Sequence, residues 1–497
     1  MSAFAGLLLA FAFPTEPDHP LAWMHNSMWG FVSLLPLFRC LPLPKWKDGF
    51  QIGWIMGSVF SLYSLYWVAY TQGGGLAVVG GTLLMAAYIG LFYGIAIGFL
   101  NIVVNRFASA GWFSAPFFWT GIEYLLSLGE LGFPWLLLGI TQAETIELIQ
   151  YAEITGVYGV SFWVVLVNAV LWLFFTSVNL VKLSVGAFVL ALLFALPWYY
   201  SFRVMDKTDP SETIRVGLVQ NNIGLEKWQY GGLEQSFSSA ESLSRKAAKQ
   251  APEIIVWPET AIPALPGQIS PFIAALAERA RRSGTTLLSG ILTNDGQQHY
   301  NSLLAIGAIQ RHYRKHHLVP FGEYLPAAVA LRPILEALGV TVSEFSRGPK
   351  MQMLLEVAGY PIGTSICYEA VFSEEIIRPL PDAAWLVNVS NDAWFGDSLA
   401  PHQHLEIAQM RSLETARYMV RSTNTGISAV IDARGEIMAK SPQFQTDVLV
   451  ADVQPMVGAT LFVIVGNWLI VSLCAVAVLL VGVRSHCPRK GGDSVEL

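Results

Sequence analysis

Residues 359–370 read GYPIGTSICYEA. The run is short and apolar, as a buried strand is, and it reaches a thiol, Cys367, at its end. It is one of a set. Similar runs occur at 213–221 (TIRVGLVQN), 253–258 (EIIVWP), 285–293 (TTLLSGILT), 302–308, 352–358, 361–367, 384–390, 427–432 and 447–453. Helical patterns separate several of them, at 233–250, 270–283 and 402–419. Buried strands alternating with helices predict an α/β layered domain.

Outward from this region the composition changes. The 497-residue chain exceeds one ordinary domain. Charged residues make up only 13% of it, against about 25% in typical globular proteins. The deficit is uneven, because residues 1–200 hold 13 of the 66 Asp, Glu, Lys and Arg residues. The first part therefore reads as lipid-solvated and much of the second as water-solvated. A net charge of −6 provides no basic face for nucleic acid. The four cysteines, Cys40, Cys367, Cys474 and Cys487, have neither disulfide-framework nor zinc spacing.

A helix needs about 20 apolar residues to cross a bilayer. Residues 21–38, 50–70, 76–104, 110–128, 157–178, 183–202 and 459–483 meet that length approximately, and the shorter 2–13 is counted as a first span, which makes eight. With the N-terminus inside, the cytoplasmic loops collect Arg39, Lys45, Lys47, Arg106 and Lys182, all the basic residues of the first 200. Glu16, Asp18, Glu144, Glu147 and Glu153 fall outside, and the tail with Arg484, Arg489 and Lys490 falls inside. This topology predicts three parts: a transmembrane bundle of about seven helices over 1–202, an extracytoplasmic domain over 203–458, and a last helix with a cytoplasmic tail over 459–497. Trp67, Tyr70, Trp198, Tyr199 and Tyr200 read as interfacial anchors. Glu123 reads as a snorkelling or helix-end acid.

Three residues at strand ends could carry chemistry. Cys367 is a nucleophile if a base or cation activates it. Glu259, after Val256-Trp257-Pro258, is a candidate general base and then acid. Lys315 could stabilise an oxyanion. Taken singly they read equally as a buried structural cysteine, a salt bridge or cap, and a basic loop against anionic headgroups. Together they supply what acyl transfer through a thioester needs, provided the three strand ends converge at one edge of a sheet. His316, His317, His402 and His404 lack metal-site spacing, and no metal or nucleotide cofactor is implied. Asn301 and Asn388 are candidates for bracing the site, and Trp394 and Phe395 for lining an apolar mouth. Arg411, Arg417 and Arg421 are placed on one polar helix, where Arg417 and Arg421 share a face.

The segments VWPET around Glu259, KHHLVPFGEYLP from Lys315, SICYE around Cys367 and NVSNDAWFG at 388–396 resemble the carbon–nitrogen hydrolase (nitrilase) superfamily. With seven spans before the domain and one after, the chain resembles the apolipoprotein N-acyltransferase branch. The resemblance implies an αββα sandwich with a Glu259–Lys315–Cys367 triad. It also implies a supporting Glu323, nearby Tyr368 and Glu369, and Trp228 on a mobile arm near the substrate entrance. Cys367 would take an acyl chain from a phospholipid, typically phosphatidylethanolamine. The chain would then pass to the α-amino group of an apolipoprotein's diacylglyceryl-cysteine. The implied place is the bacterial inner membrane, facing the periplasm. Two rival readings are a membrane-bound nitrilase-type amidase, which the same triad would serve, and a transporter with a binding domain. The transporter would call for midplane charges and repeats that the spans lack.

Overall fold

The computed structural model describes residues 1–15, 19–71, 75–205, 212–307, 310–337 and 344–486. Glu16, Asp18, Cys487, Arg489 and Lys490 lie outside them.

The strands form two six-stranded sheets. The first contains β1 (Ile214–Gln220), β2 (Ile254–Val256), β3 (Thr286–Asp295), β4 (Gln298–Ile306) and β5 (Arg311–Arg314). The second contains β6 (Leu355–Val357), β7 (Tyr360–Ile366), β8 (Trp385–Ser390), β9 (Met419–Thr423), β10 (Ala429–Ile431) and β11 (Ile437–Lys440). The last strand, β12 (Asp447–Val453), returns to the first sheet, giving the orders β12-β1-β2-β3-β4-β5 and β11-β10-β9-β8-β7-β6. Both sheets have a parallel centre, β1-β2-β3 and β7-β8-β9, with antiparallel flanks.

Strand alternation explains the layering. Ile214, Val216 and Leu218 of β1 and Trp385, Val387 and Val389 of β8 meet in the core between the sheets. The intervening Val219, with Ile255, packs outward against Ala240, Leu243, Ile273 and Leu276 of the helices Gly232–Ala247 and Ser270–Ser283. On the other side Leu386 and Met419 pack on Leu405 and Ala408 of the helix Ala400–Thr415. The result is the expected αββα order. Burial on both faces explains why these strands read as continuous apolar runs.

Three strands escaped the sequence reading. β5 (RHYR) and β11 (IMAK) are edge strands with polar or mixed faces. β9 begins inside the polar helix expected near 402–421. The helix instead stops at Thr415, where Ala416 takes a left-handed conformation with φ 47° and no glycine marks the end. Arg421 therefore lies in β9 and does not share a helix face with Arg417. Arg417 donates to the carbonyls of Ala383 and Gly458, while Arg411 pairs with Glu414 at 3.2 Å.

The apolar segments are less regular than eight spans would require. Among the described residues, three helical stretches are long and apolar enough to cross a membrane: Gly75–Leu125, Ala152–Thr176 and Leu180–Met205. Residues 2–13 form the 10-residue helix Ser2–Phe11, largely buried. Residues 21–38 do not form one helix but the 3-10 pieces Ala22–Met24 and Ser27–Phe31 and the four-residue helix Leu35–Phe38. Non-helical backbone at such depth survives only if side chains satisfy it. Here Asn168 accepts from Leu34 N at 3.0 Å and donates to Gly30 O at 2.8 Å. Asn101 does the same for Leu43, accepting from its N at 2.7 Å and donating to its O at 3.0 Å.

Two expected interface residues are buried instead. Glu123 does not snorkel: it is fully covered and accepts from Trp119 Nε1 and Leu138 N, both at 2.8 Å, so it caps an irregular turn. Trp67 is no lipid anchor. It is 2% exposed, packs on Trp135 and Phe395, and donates to Gln403 Oε1. That contact joins the helices to the sandwich, because Gln403 also accepts from Trp135 Nε1 and donates to Ser64 O.

A second junction lies at Gly156, where the helix Ala152–Thr176 kinks with φ 65°. The kink frees Val157 N, which donates to Glu414 Oε1 at 2.5 Å. A Cβ at position 156 would come closer than 3.0 Å to the Phe462 ring. Gly156→Ala should therefore combine backbone strain with a clash, costing about 2–4 kcal/mol. Thermal unfolding in detergent should show a clearly lower midpoint for this variant. An unchanged midpoint would mean that the kink is not required.

Candidate active site

The three chemical residues do converge, but from two sheets and not from one edge. Glu259 follows β2 and Lys315 follows β5 in the first sheet, while Cys367 follows β7 in the second. Their meeting place is an end of the sandwich.

Cys367 begins a 3-10 turn, Cys367–Val371, with φ 52°. A non-glycine residue with such a φ is uncommon and is held by its surroundings. Glu369 supplies much of that hold. One oxygen accepts from Ile366 N at 2.7 Å, and the other accepts from His316 N, His317 N and Tyr313 Oη at 2.6–3.0 Å. The nucleophile turn is thus tied to the chain immediately after Lys315. Burial and the nearby Glu375 push the Glu369 carboxyl up to about 7, opposed by the His317 and Ile366 amides. From below, the Cys367 carbonyl meets His404 Nε2 at 3.2 Å and Asn388 Nδ2 at 3.5 Å. His404 Nδ1 faces Asp392 Oδ1 at 3.3 Å, and Arg421 reaches both Asp392 and Asn388. Burial raises the Asp392 carboxyl, but His404 and Arg421 hold it at about 2. His404, considered for metal on sequence grounds, is a member of this network.

Lys315 is 1% exposed. Its Nζ donates to Glu323 Oε1 at 2.9 Å, lies 2.8 Å from Oε2, and is 3.8 Å from Glu259 Oε1. Burial alone would discharge it, yet Glu323 and Glu259 together keep its pKa above the ordinary lysine value. Asn301 Nδ2 bridges the acids, donating to Glu259 Oε1 at 2.6 Å and Glu323 Oε1 at 3.1 Å. Glu323 also accepts from Val319 N at 2.8 Å. Burial pushes the Glu259 carboxyl up, with Lys315 pulling it down. Burial likewise pushes the Cys367 thiol up, aided by Glu259 and opposed by Lys315. Cys367 thus rests as a thiol beside a carboxyl that burial makes harder to ionise and a lysine that stays charged.

The Glu259 turn sits directly on β3. Thr260 has φ 47°, and a Cβ at Gly290 would come closer than 3.0 Å to Pro258 O, Thr260 N and Glu259 Cα. Only glycine permits that approach.

The remaining sequence candidates separate. Tyr368 donates to Gly132 O at 3.0 Å and stacks on Phe133 and Trp135, linking the nucleophile turn to the helices. Phe395 packs inward on Trp67, whereas Trp394 is 37% exposed. Trp228 is 44% exposed, at the end of the 3-10 helix Leu225–Trp228. Beside it, Lys227 is buried, and its Nζ donates to Thr260 Oγ1 at 2.6 Å and Thr260 O at 3.2 Å. The sequence reading passed over Lys227, since one lysine in a polar arm carries no burial signal. A cleft of about 440 Å³ lies between Gly224, Leu225 and Gln229 of this arm and Ala393, Gly396 and Asp397. Glu259, Lys315 and Cys367 do not line it.

Cys367 touches two cores. It packs against the cluster between the sheets and also against the large cluster that includes Trp67, Trp119, Trp135 and Tyr158 of the helical part. The site is therefore at the seam between sandwich and helices.

Comparison with known proteins agrees with both halves. A family model described as carbon-nitrogen hydrolase matches residues 215–461, and one described as apolipoprotein N-acyltransferase N-terminal domain matches residues 5–170. The apolipoprotein N-acyltransferase of Methylococcus capsulatus is 35% identical over 495 residues, covering 95% of this chain and 93% of that one. That of Nitrosomonas europaea is 37% identical over 419 residues, covering 82% of each. Among solved structures, a carbon-nitrogen hydrolase from Helicobacter pylori is 14% identical, covering 49% of this chain and 89% of that one with a TM-score of 0.38. Identity sustained across helices and sandwich alike leaves one conclusion: the chain belongs to the apolipoprotein N-acyltransferase family.

Proposed function

We propose that this chain moves an acyl chain from a membrane phospholipid, through a thioester on Cys367, to the α-amino group of the N-terminal diacylglyceryl-cysteine of an apolipoprotein. The observation that carries this reading is the position of Cys367 against both the core between the sheets and the apolar cluster that joins the sandwich to the helices. A lipid ester can reach such a thiol without leaving an apolar environment. A water-soluble amide, the substrate of the rival amidase reading, gains nothing from it.

The half-buried thiol sets the order of events. Because its pKa is raised, little thiolate exists beforehand, so deprotonation accompanies attack. Glu259 takes the Sγ proton as sulfur bonds to the ester carbonyl carbon. Lys315, kept charged by Glu323 and Glu259, faces the developing oxyanion. The C–O bond to glycerol then breaks, and Glu259 returns the proton to the leaving oxygen. Lysophospholipid departs and the thioester remains. In the second half the amine attacks the thioester carbonyl and gives its proton to Glu259. The C–S bond breaks, the proton returns to sulfur, and the amide is formed.

The acyl donor we favour is phosphatidylethanolamine. For placement we favour the bacterial inner membrane with residues 203–458 facing the periplasm. Support comes from the ends of the helices. Lys45 and Lys47 flank the start of the helix Trp46–Ser64, whose far end, at Ser64, meets Gln403 of the sandwich. Lys182 lies at the start of the helix Leu180–Met205, whose far end leads to β1.

The first test is intact mass spectrometry after incubation with phosphatidylethanolamine alone. One acyl chain should appear on Cys367 and be released by hydroxylamine, and folded protein with no adduct would exclude this donor. Glu259→Gln should slow thioester formation by about 10²–10⁴-fold without impairing folding. Normal acylation by that variant would remove Glu259 from the mechanism. The rate should also fall as pH drops through the raised pKa of Glu259, because the base must be ionised to accept a proton. Gly290→Ala should displace the Glu259 turn and cost about 10²-fold in thioester formation, as misplacement by about 1 Å does. Stopped-flow acylation alongside a thermal melt would separate this effect from loss of fold.

A further inference from the structure

Lys227 takes no part in the chemistry above, yet it is 3% exposed and sits beside the exposed Trp228. Its ammonium has three protons and finds three oxygens: Thr260 Oγ1 at 2.6 Å, Thr260 O at 3.2 Å and Glu259 O at 3.4 Å. All three belong to the two-residue turn that carries the base. All three are neutral, so the cation is buried without a direct carboxylate contact from them. Burial pulls Lys227 down to about 8, against Glu259 and Glu226. An apolar side chain would fill this space without that desolvation cost, so packing alone does not call for a lysine. The turn it grips needs a hold, because Thr260 is β-branched and has φ 47°.

We propose that Lys227 is a positioning residue, tying the Leu225–Trp228 arm to the Glu259–Thr260 turn so that the proton acceptor is both placed and kept ionised when the arm is seated. The proposal rests on Glu259 being that acceptor. Besides Lys227, the groups that act on Glu259 are Lys315, Glu323 and Asn301, and Glu259 in turn acts on Cys367 and Arg421. Lys227 faces Glu259 and Glu226. Removing Lys227 leaves Lys315 as the nearest cation to Glu259, beside the opposing charge of Glu323, and the carboxyl becomes harder to ionise.

The experiment uses the full chain in proteoliposomes containing phosphatidylethanolamine and reads thioester formation against pH. Lys227→Met should slow acylation about 100-fold and move the acid limb up by about one pH unit. Lys227→Arg keeps the cation and should return the limb to its original position with most of the rate. If Lys227→Met does not fold, Lys227→Gln, which keeps N–H donors but no charge, should show the same upward shift. A slower rate with an unmoved limb, or an arginine variant that restores nothing, would overturn the proposal in favour of a purely structural lysine. Glu259→Gln, run in parallel, separates the two ideas. If that variant is inactive while Lys227→Met keeps the original limb, only this inference fails. If it acylates normally, the assignment of Glu259 fails and this inference with it.

Discussion

An ammonium hidden from water is the constraint on which the site depends. Lys315 can stay charged only if carboxylates face it, and Glu323 and Glu259 do so from two different segments. Those acids would repel each other without a shared donor, which Asn301 of β4 provides. Loss of one partner from such a buried set leaves an uncompensated charge, typically worth about 3–5 kcal/mol. The ends of β2 and β5, Asn301 within β4 and the 319–323 turn are therefore locked to one another by electrostatics as well as by the sheet. Glu369 extends the lock to the second sheet by binding amides on both the 316–317 and 366 sides.

A second constraint acts at the seam. Apolar segments that are not helical must find partners for their backbone, and buried polar side chains supply them. Asn168, Asn101 and Glu123 serve within the helical part. Gln403 and Glu414 serve across the boundary, from one helix of the sandwich. The same helix carries His404, which holds the Cys367 carbonyl. Anchoring to the helices and support of the nucleophile are therefore built on one rigid element, so the thiol has a fixed position relative to the apolar helices.

Much of this was legible in the sequence, for definable reasons. Strands buried on both faces leave uninterrupted apolar runs, so β1, β2, β3 and β8 could be read directly. The helix Ser270–Ser283 was read to the residue, having Pro271 near its start and Gly284, with φ 68°, at its cap. The placement of Glu259 and Cys367 at strand ends was legible because the apolar runs stop there. Partner choice was not legible. Residues 21–38 have the composition of a span, but Pro36 and the chance of side-chain bonds from Asn168 let them fold as short turns. Trp67 and Glu123 sit near the ends of apolar runs, as anchors do, and only tertiary packing shows them buried. Of the edge strands, β5 (RHYR) has no apolar run to read, and β11 (IMAK) is only four residues long.

The raised pKa of the half-buried Cys367 thiol carries a further consequence for the proposed reaction. A thiol kept protonated by its surroundings is inert until an ester is near enough for bond formation to offset the loss of the proton. The resting site is then protected against stray electrophiles and oxidation, since both attack the thiolate. Once the thioester forms, the apolar packing around Cys367 that raised the thiol pKa also limits access of water. Hydrolysis is disfavoured for the same reason that the thiol was quiet. One property, low polarity at the seam, thus favours a transferase over a hydrolase on a triad that could serve either.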